Sequence, residues 1–356
     1  MNSRHVAFLM VALVSVAVMA TIWWAPHVIP GLRTAPAPRR GELPSLAPLV
    51  AWRGGGPLTP DSLSGRPVAL LLWNDGDPRS LAALGIADAW HRAYAPLGVR
   101  VLAVHVSAFD FAADSSVGVS VARRMGLVLP MADDATGFVE GAFGGAAGGS
   151  HLVVVGPDGH VVVDTVDDMA AGEQALRALV RRAHPGIALP PSPDPALPAG
   201  VRTVELAAGR VEDGPLRGLG AGRERVFTAE FRYQEQGRAW TPFPVGGWRA
   251  GIRGVTATRG GAANFIAIRY SAGRAGVVVT PPPGGTARLW ILRDDRWPRP
   301  DERDDDAAMD GRGAVSVLVT EPRLYWIDRG GGERVLKLSP ETAGVTLNAF
   351  VFTGAR

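Results

Sequence analysis

The alternation of apolar and polar positions divides the chain into stretches of different texture. From Val6 to Trp24 no charged residue occurs, a run about as long as a helix needs to cross a bilayer. Pro26 to Pro48 is rich in Pro, Ala and Arg and reads as an extended spacer. Continuous apolar runs and helical periodicity then take turns. Val68 to Trp73 and Val99 to Val106 read as strands covered on both faces, while Ser80 to Tyr94 carries Leu81, Leu84, Ala87 and Trp90 at helical spacing. Val117 to Met125 predicts a short helix. His151 to Val155 and His160 to Val166, joined by Gly156-Pro157-Asp158-Gly159, predict a hairpin, and Ala170 to His184 predicts an amphipathic helix capped by Asp167 or Asp168.

A Pro-rich linker, His184 to Gly200, ends this pattern. Beyond it come nine short β-rich runs separated by Gly, Pro and Asp clusters, among them Val226 to Tyr233, Trp248 to Thr256 and Val345 to Phe352. Such spacing without a helical pattern predicts an antiparallel sandwich of the jelly-roll kind. The expected organisation is a transmembrane signal anchor (1–25), a spacer (26–46), an α/β domain (47–185), a linker (186–200) and an all-β jelly-roll sandwich (201–356).

At the N-terminus, Trp23 and Trp24 fall where an interfacial aromatic belt would sit. A cleavable signal peptide with Val18-Met19-Ala20 as its processing site competes with an anchor. The apolar run continues past that site into the paired tryptophans, which favours the anchor. Arg4 lies on one side of the span, and Arg33, Arg39 and Arg40 lie on the other, so charge alone does not orient it.

Composition narrows the chemistry. The 356 residues hold 37 Lys and Arg against 34 Asp and Glu, for a net charge of +3. Lys337 is the only lysine, and the arginines are scattered among acids, which argues against nucleic-acid binding. The chain contains no Cys. That removes thiolate nucleophiles, disulfides, thioether-linked haem and a lipoprotein anchor.

The stretch Leu58 to Ala82 carries the most information. Asp77 suits a helix N-cap, because its carboxylate accepts from free backbone N–H groups, and Pro78 suits the first turn, because it has no N–H to leave unpaired. Leu63, Gly65, Arg66, Pro67 and Trp73 resemble a phrase of bacterial periplasmic redoxins, whose thioredoxin-like domains run from it into Cys-x-x-Cys. In that resemblance the two cysteine positions fall on Asp77 and Ser80, and the substrate-clamping cis-proline before the hairpin falls on Ser150. It implies a thioredoxin-like fold facing the periplasm, with thiol–disulfide chemistry lost.

The second half is similar to the β-domain of DipZ-type cytochrome c biogenesis proteins. The similarity rests on Gly246-Gly247-Trp248, Glu321-Pro322-Arg323-Leu324-Tyr325, Leu336-Lys337-Leu338, and Gly344-Val345 with Phe350-Val351-Phe352. The order of anchor, inactive redoxin-like domain and sandwich also resembles an accessory subunit of a bacterial photosynthetic reaction-centre complex.

Other candidates are weaker. Arg293 to Arg312 is dense in carboxylates, including Asp304, Asp305 and Asp306, but its spacing fits no EF-hand and interleaved arginines compete for the acids. It reads as a solvated or partner-facing loop. Among Trp240, Trp290, Trp297, Tyr325 and Trp326, Trp297 is the best candidate for an exposed sugar platform, since alternation sends several of the others to the core. The histidines show no zinc-protease spacing, Ser150-His151 lacks a Gly-x-Ser-x-Gly context, and no cofactor or metal motif is present.

The expected function is non-catalytic: an inner-membrane, single-pass accessory subunit with both domains in the periplasm, supporting a larger complex. An envelope carbohydrate-binding module and an enzyme with non-thiol chemistry at Asp77 and Ser150 are the alternatives.

Overall fold

A computed structural model describes residues 43–106, 116–143, 149–211, 213–228 and 238–355. The expected span with Trp23 and Trp24 lies outside the described residues. Among those described, no helix is long and apolar enough to cross a membrane.

The first domain runs β1 (Val50–Arg53), α1 (Pro60–Leu63), β2 (Val68–Trp73), α2 (Pro78–Tyr94), β3 (Arg100–His105), α3 (Ser116–Met125), β4 (Met131–Asp133), α4 (Phe138–Ala142), β5 (His151–Val155), β6 (Val161–Val166) and α5 (Met169–Ala183). Its sheet has the order β1-β4-β3-β2-β5-β6, with β2, β3 and β4 parallel and the outer strands antiparallel. This is a thioredoxin-like fold. β2 is apolar throughout because both its faces are covered. Ala69, Leu71 and Trp73 join the core that holds Leu84, Trp90 and Leu176 of the helices, and Leu70 and Leu72 join Leu102 and Val104 on the opposite side.

The pattern missed β1 and β4, which are too short to show periodicity. Asp77 is the N-cap of α2, its carboxylate accepting the Arg79 N–H at 2.8 Å. Asp168 rather than Asp167 caps α5, accepting the Ala171 N–H at 2.9 Å.

The Pro-rich linker lies against the first domain. Ile187, Leu189 and Leu197 pack on the helical core. The buried Glu173 carboxylate accepts from the Ser192 hydroxyl at 2.5 Å and from the Tyr94 hydroxyl at 2.7 Å, and Arg177 donates to the Pro190 carbonyl at 2.9 Å. Burial and the neighbouring Glu173 carboxylate push the Tyr94 pKa up to about 12.

The second domain is all-β: β7 (Arg202–Glu205), β8 (Glu224–Phe227), β9 (Phe243–Gly251), β10 (Gly254–Ala257), β11 (Phe265–Ser271), β12 (Arg274–Thr280), β13 (Ala287–Arg293), β14 (Ala308–Met309), β15 (Val315–Val319), β16 (Arg323–Arg329), β17 (Glu333–Pro340) and β18 (Thr346–Thr353). The strands follow the path β14-β15-β13-β17-β11-β9-β10-β18-β12-β16. The predicted single run Trp248 to Thr256 is in fact two strands, since the chain reverses between Gly251 and Gly254 and pairs β9 with β10. Of the predicted run Val226 to Tyr233, only the first part is a described strand, and 229–233 lies outside the described residues. Side chains such as Trp248, Tyr270, Ile291, Tyr325 and Phe350 form one core.

The two domains touch at the start of α2. Leu81 packs against Val278, Leu324, Ala349, Val351 and Trp326 on the outward face of β12, β16 and β18. Beside it, Arg124 of α3 pairs with Glu321 at 3.1 Å. Burial there, reinforced by Arg323, lowers the Arg124 pKa although Glu321 and Asp306 oppose the shift.

Candidate functional site

The residues that replace the redoxin motif meet at one end of the first domain. Asp77, Ser80 and Ser150 are 7%, 0% and 0% exposed, so none is presented to solvent. Both oxygens of Asp77 are taken. Oδ1 accepts the Arg79 backbone N–H at 2.8 Å, while Oδ2 accepts Arg79 Nη2 at 2.7 Å and the Gly149 N–H at 2.9 Å. Ser80 donates its hydroxyl to the Gly149 carbonyl at 2.6 Å. One residue, Gly149, therefore ties together the Asp77 and Ser80 side chains through its N–H and its carbonyl.

Ser150 faces elsewhere. Its N–H and its hydroxyl both donate to Asp167 Oδ1, at 2.8 and 2.9 Å, and Asp167 Oδ2 pairs with Arg79 at 2.8 Å. Arg79 thus joins the two carboxylates, and its hydrogen bond to Asp77 raises its pKa further. No cis peptide bond occurs among the described residues.

The backbone is shaped for this arrangement. Asp167 has φ of +59°, a left-handed conformation that Asp tolerates better than most residues. Gly149 has φ of +86°, and a Cβ there would lie 2.6 Å from the Asp167 carboxylate. The resemblance placed the clamping proline at Ser150, and the neighbouring Gly149 is the residue that contacts Asp77 and Ser80. The resemblance also missed Arg79 and Asp167.

A second buried cluster adjoins the first. His105, 1% exposed at the end of β3, lies between Asp75, whose Oδ1 is 3.2 Å from Nε2, and Asp133, whose Oδ1 is 3.6 Å from Nδ1. Arg53 of β1 forks onto Asp133 at 3.0 and 2.7 Å. Burial alone would lower the His105 pKa, but the bonds to Asp133 and Asp75 outweigh it and the net shift is upward. Burial likewise works against the Asp133 carboxylate, yet His105 and Arg53 hold its pKa below the ordinary value. The imidazole also lies against the Trp73 ring, with centroids 4.7 Å apart.

Chemically, the Asp77 end has little to offer a substrate. A general base needs a free lone pair within reach of a proton, and a nucleophile needs a base beside it. Here Asp77 is saturated, and the Ser80 and Ser150 protons are committed to Gly149 and Asp167. The bonds hold α2, the hairpin and α5 together.

The acidic stretch of the second domain differs from its predicted open form. Asp304 is 5% exposed and forks onto Arg274 at 2.6 and 2.8 Å. Asp306 binds Arg323 at 2.5 Å and accepts the Trp326 N–H at 2.8 Å. Arg296 and Arg299 hold the Glu302 pKa well below the usual carboxylate range. Arg274 and Arg323 from outside the stretch, with Arg296 and Arg299 inside it, thus draw the carboxylates into the fold, and only Asp305 of the three named aspartates stays exposed. Among the described residues no group of His, Asp and Glu is placed to hold a metal ion.

The aromatic candidates divide as well. Tyr325 is fully buried, Trp326 lies under Arg274 at the domain contact, and Trp240 packs edge-on against Phe352. Trp297 is 41% exposed and meets Trp290 edge-to-face at 6.1 Å.

No protein-family model matches the chain, and no curated protein matches it. Among solved structures, the chain is similar to a thiol-disulfide isomerase from Corynebacterium glutamicum (16% identity, 41% of this chain and 97% of that one, TM-score 0.32). It is also similar to the bacterioferritin comigratory protein of Xanthomonas campestris (18%, 41% and 99%, 0.33). A third is a secreted disulfide oxidoreductase of Mycobacterium tuberculosis (20%, 35% and 90%, 0.28).

Proposed function

We propose that this chain is a non-catalytic, membrane-anchored accessory subunit, facing the periplasm, that stabilises or helps assemble a larger membrane complex of the electron-transfer, photosynthetic or cytochrome c type. One observation carries the reading. The three positions where a redoxin would do its chemistry are buried, and their side-chain polar groups are held by Gly149, Arg79 and Asp167. What remains for the chain is contact. The docked linker, the Leu81 patch and the Arg124–Glu321 pair tie two domains into a broad surface, and on this reading the second domain is a jelly roll that adds docking area. A stable interface would bury on the order of 1,000 Å² or more.

The test is extraction of native membranes carrying a tagged chain in mild detergent. The chain is expected in the membrane fraction with other membrane proteins in fixed proportion. A single monodisperse chain without companions would refute the proposal.

The exposed Trp297, edge-to-face with Trp290, favours a second reading in which the sandwich binds envelope carbohydrate. Retention on peptidoglycan or glycan resins that is lost in Trp297→Ala would support it. The saturation of Asp77 weighs against an enzyme with non-thiol chemistry at that end.

A further inference from the structure

The opposite end of the first domain has the reverse character. It is built from the starts of β2 and β3, the β5–β6 turn, and the C-terminal ends of α2 and α5. Strand pairing fixes this grouping: Val68 lies beside Arg100 and opposite Val155, and the Arg100 N–H donates to the Pro67 carbonyl at 2.8 Å. α5 leaves the Asp167 end and therefore finishes here. Arg66, Arg181 and Arg182 are exposed and Arg100 is half-buried. None of the four has a carboxylate partner among the described residues. Arg92 nearby is paired with Asp88 at 2.8 Å. Of the acids at this end, Asp61 and Asp158 are the exposed ones, against those four arginines and the exposed His160 and His184.

A cavity of about 460 Å³ opens at the same end. Leu43, Leu46, Leu63 and Val155 line its apolar part, and Arg66 and His160 also border it. Leu43 is the first described residue, so the chain reaches the fold here, nineteen positions after Trp24.

We propose that this basic end rests on an anionic phospholipid surface, with Arg66, Arg100, Arg181 and Arg182 facing lipid phosphates and the cavity taking the glycerol and upper acyl region of one lipid. The inference deepens the membrane-anchored reading and rests on it. Arg66 at the edge of a partly apolar cavity, with Asp158 the one acid on its lining, matches a phosphate head above hydrocarbon. Nineteen residues can span roughly 60 Å when extended, so an anchor alone would not hold the domain against the bilayer, whereas unpaired arginines would. Each is worth roughly fivefold in binding to an anionic surface.

The experiment uses the full chain in nanodiscs of phosphatidylcholine alone and of phosphatidylcholine with about one-third phosphatidylglycerol. Hydrogen exchange is followed at 43–46 and 156–161. In the anionic discs these segments should exchange at least tenfold more slowly. The protection should vanish at ~0.5 M salt, where screening is strong, and in Arg181→Glu/Arg182→Glu, whose circular dichroism serves as the folding control. Equal exchange in the two discs would overturn the proposal while leaving the anchor intact. Failure of the chain to enter discs of either kind would instead refute the anchored reading. Protection that requires a copurified protein and not lipid would assign this end to a protein partner and also overturn the proposal.

Discussion

The two ends of the thioredoxin-like domain handle charge in opposite ways. At one end Asp77, Asp167, Asp133 and Asp75 are buried or half-buried and face Arg79, Arg53 and His105 across distances of 2.7 to 3.6 Å. At the other, Arg66, Arg181 and Arg182 are exposed and have no carboxylate partner among the described residues. Polar groups that satisfy one another hold a fold together, whereas unpaired exposed charge is available to a partner. The Asp77 end is thus a joint between elements, and the opposite end is the one whose charges are left open.

The largest test of this contrast is His105→Gln. It removes the imidazole that bridges Asp75 and Asp133 and leaves Asp75 buried without that partner, at a cost of about 3 kcal/mol in chemical denaturation. The same cluster sets a pH dependence. A histidine whose folded pKa is raised contributes stability that is complete below its unfolded value and is lost as pH rises through the folded value. Asp133, whose pKa is depressed, contributes above its unfolded value and loses that contribution as pH falls through the folded one. Stability should therefore peak between roughly pH 4 and 6.5. In His105→Gln the decline on the alkaline side should flatten.

Next comes the bridge itself. Gly149→Ala places a Cβ against the Asp167 carboxylate at a left-handed φ and should cost about 2 kcal/mol in unfolding free energy. Arg79→Ala should cost a similar amount, since both aspartates lose their shared cation while partial exposure softens the loss.

Smaller is Tyr94→Phe, which deletes one hydrogen bond to Glu173. A loss of about 1 kcal/mol is expected, with faster proteolytic nicking in 186–197 as the linker loosens. Smallest is Arg181→Glu/Arg182→Glu, which should change stability by less than about 0.5 kcal/mol in a thermal melt, because these side chains hold nothing within the domain. A large loss there would erase the contrast between the ends.

Much of the reactive end was legible in the sequence. Counting from Trp73 placed Asp77 and Ser80 at the start of α2, and the Asp-Pro pair announced the cap. The partners were not legible. Gly149, which contacts Asp77 and Ser80, lies in a loop whose glycines give no register. Asp75, His105, Asp133 and Arg53 meet only because β4 inserts between β1 and β3, and β1 and β4 are too short to show in a hydrophobic pattern. In the second domain, a run of β-forming residues hid the reversal at Gly251 to Gly254. The acidic loop was misjudged because arginines distant in sequence, Arg274 and Arg323, supply its counter-charges.

The measurement closest to the central claim is insulin reduction by Asp77→Cys/Ser80→Cys, with circular dichroism confirming the fold. Burial of both positions predicts that placing sulfur at them yields no turnover above the uncatalysed rate. Turnover at the level of an ordinary thioredoxin-like protein would mean that the end is still open to clients, and would contradict the account.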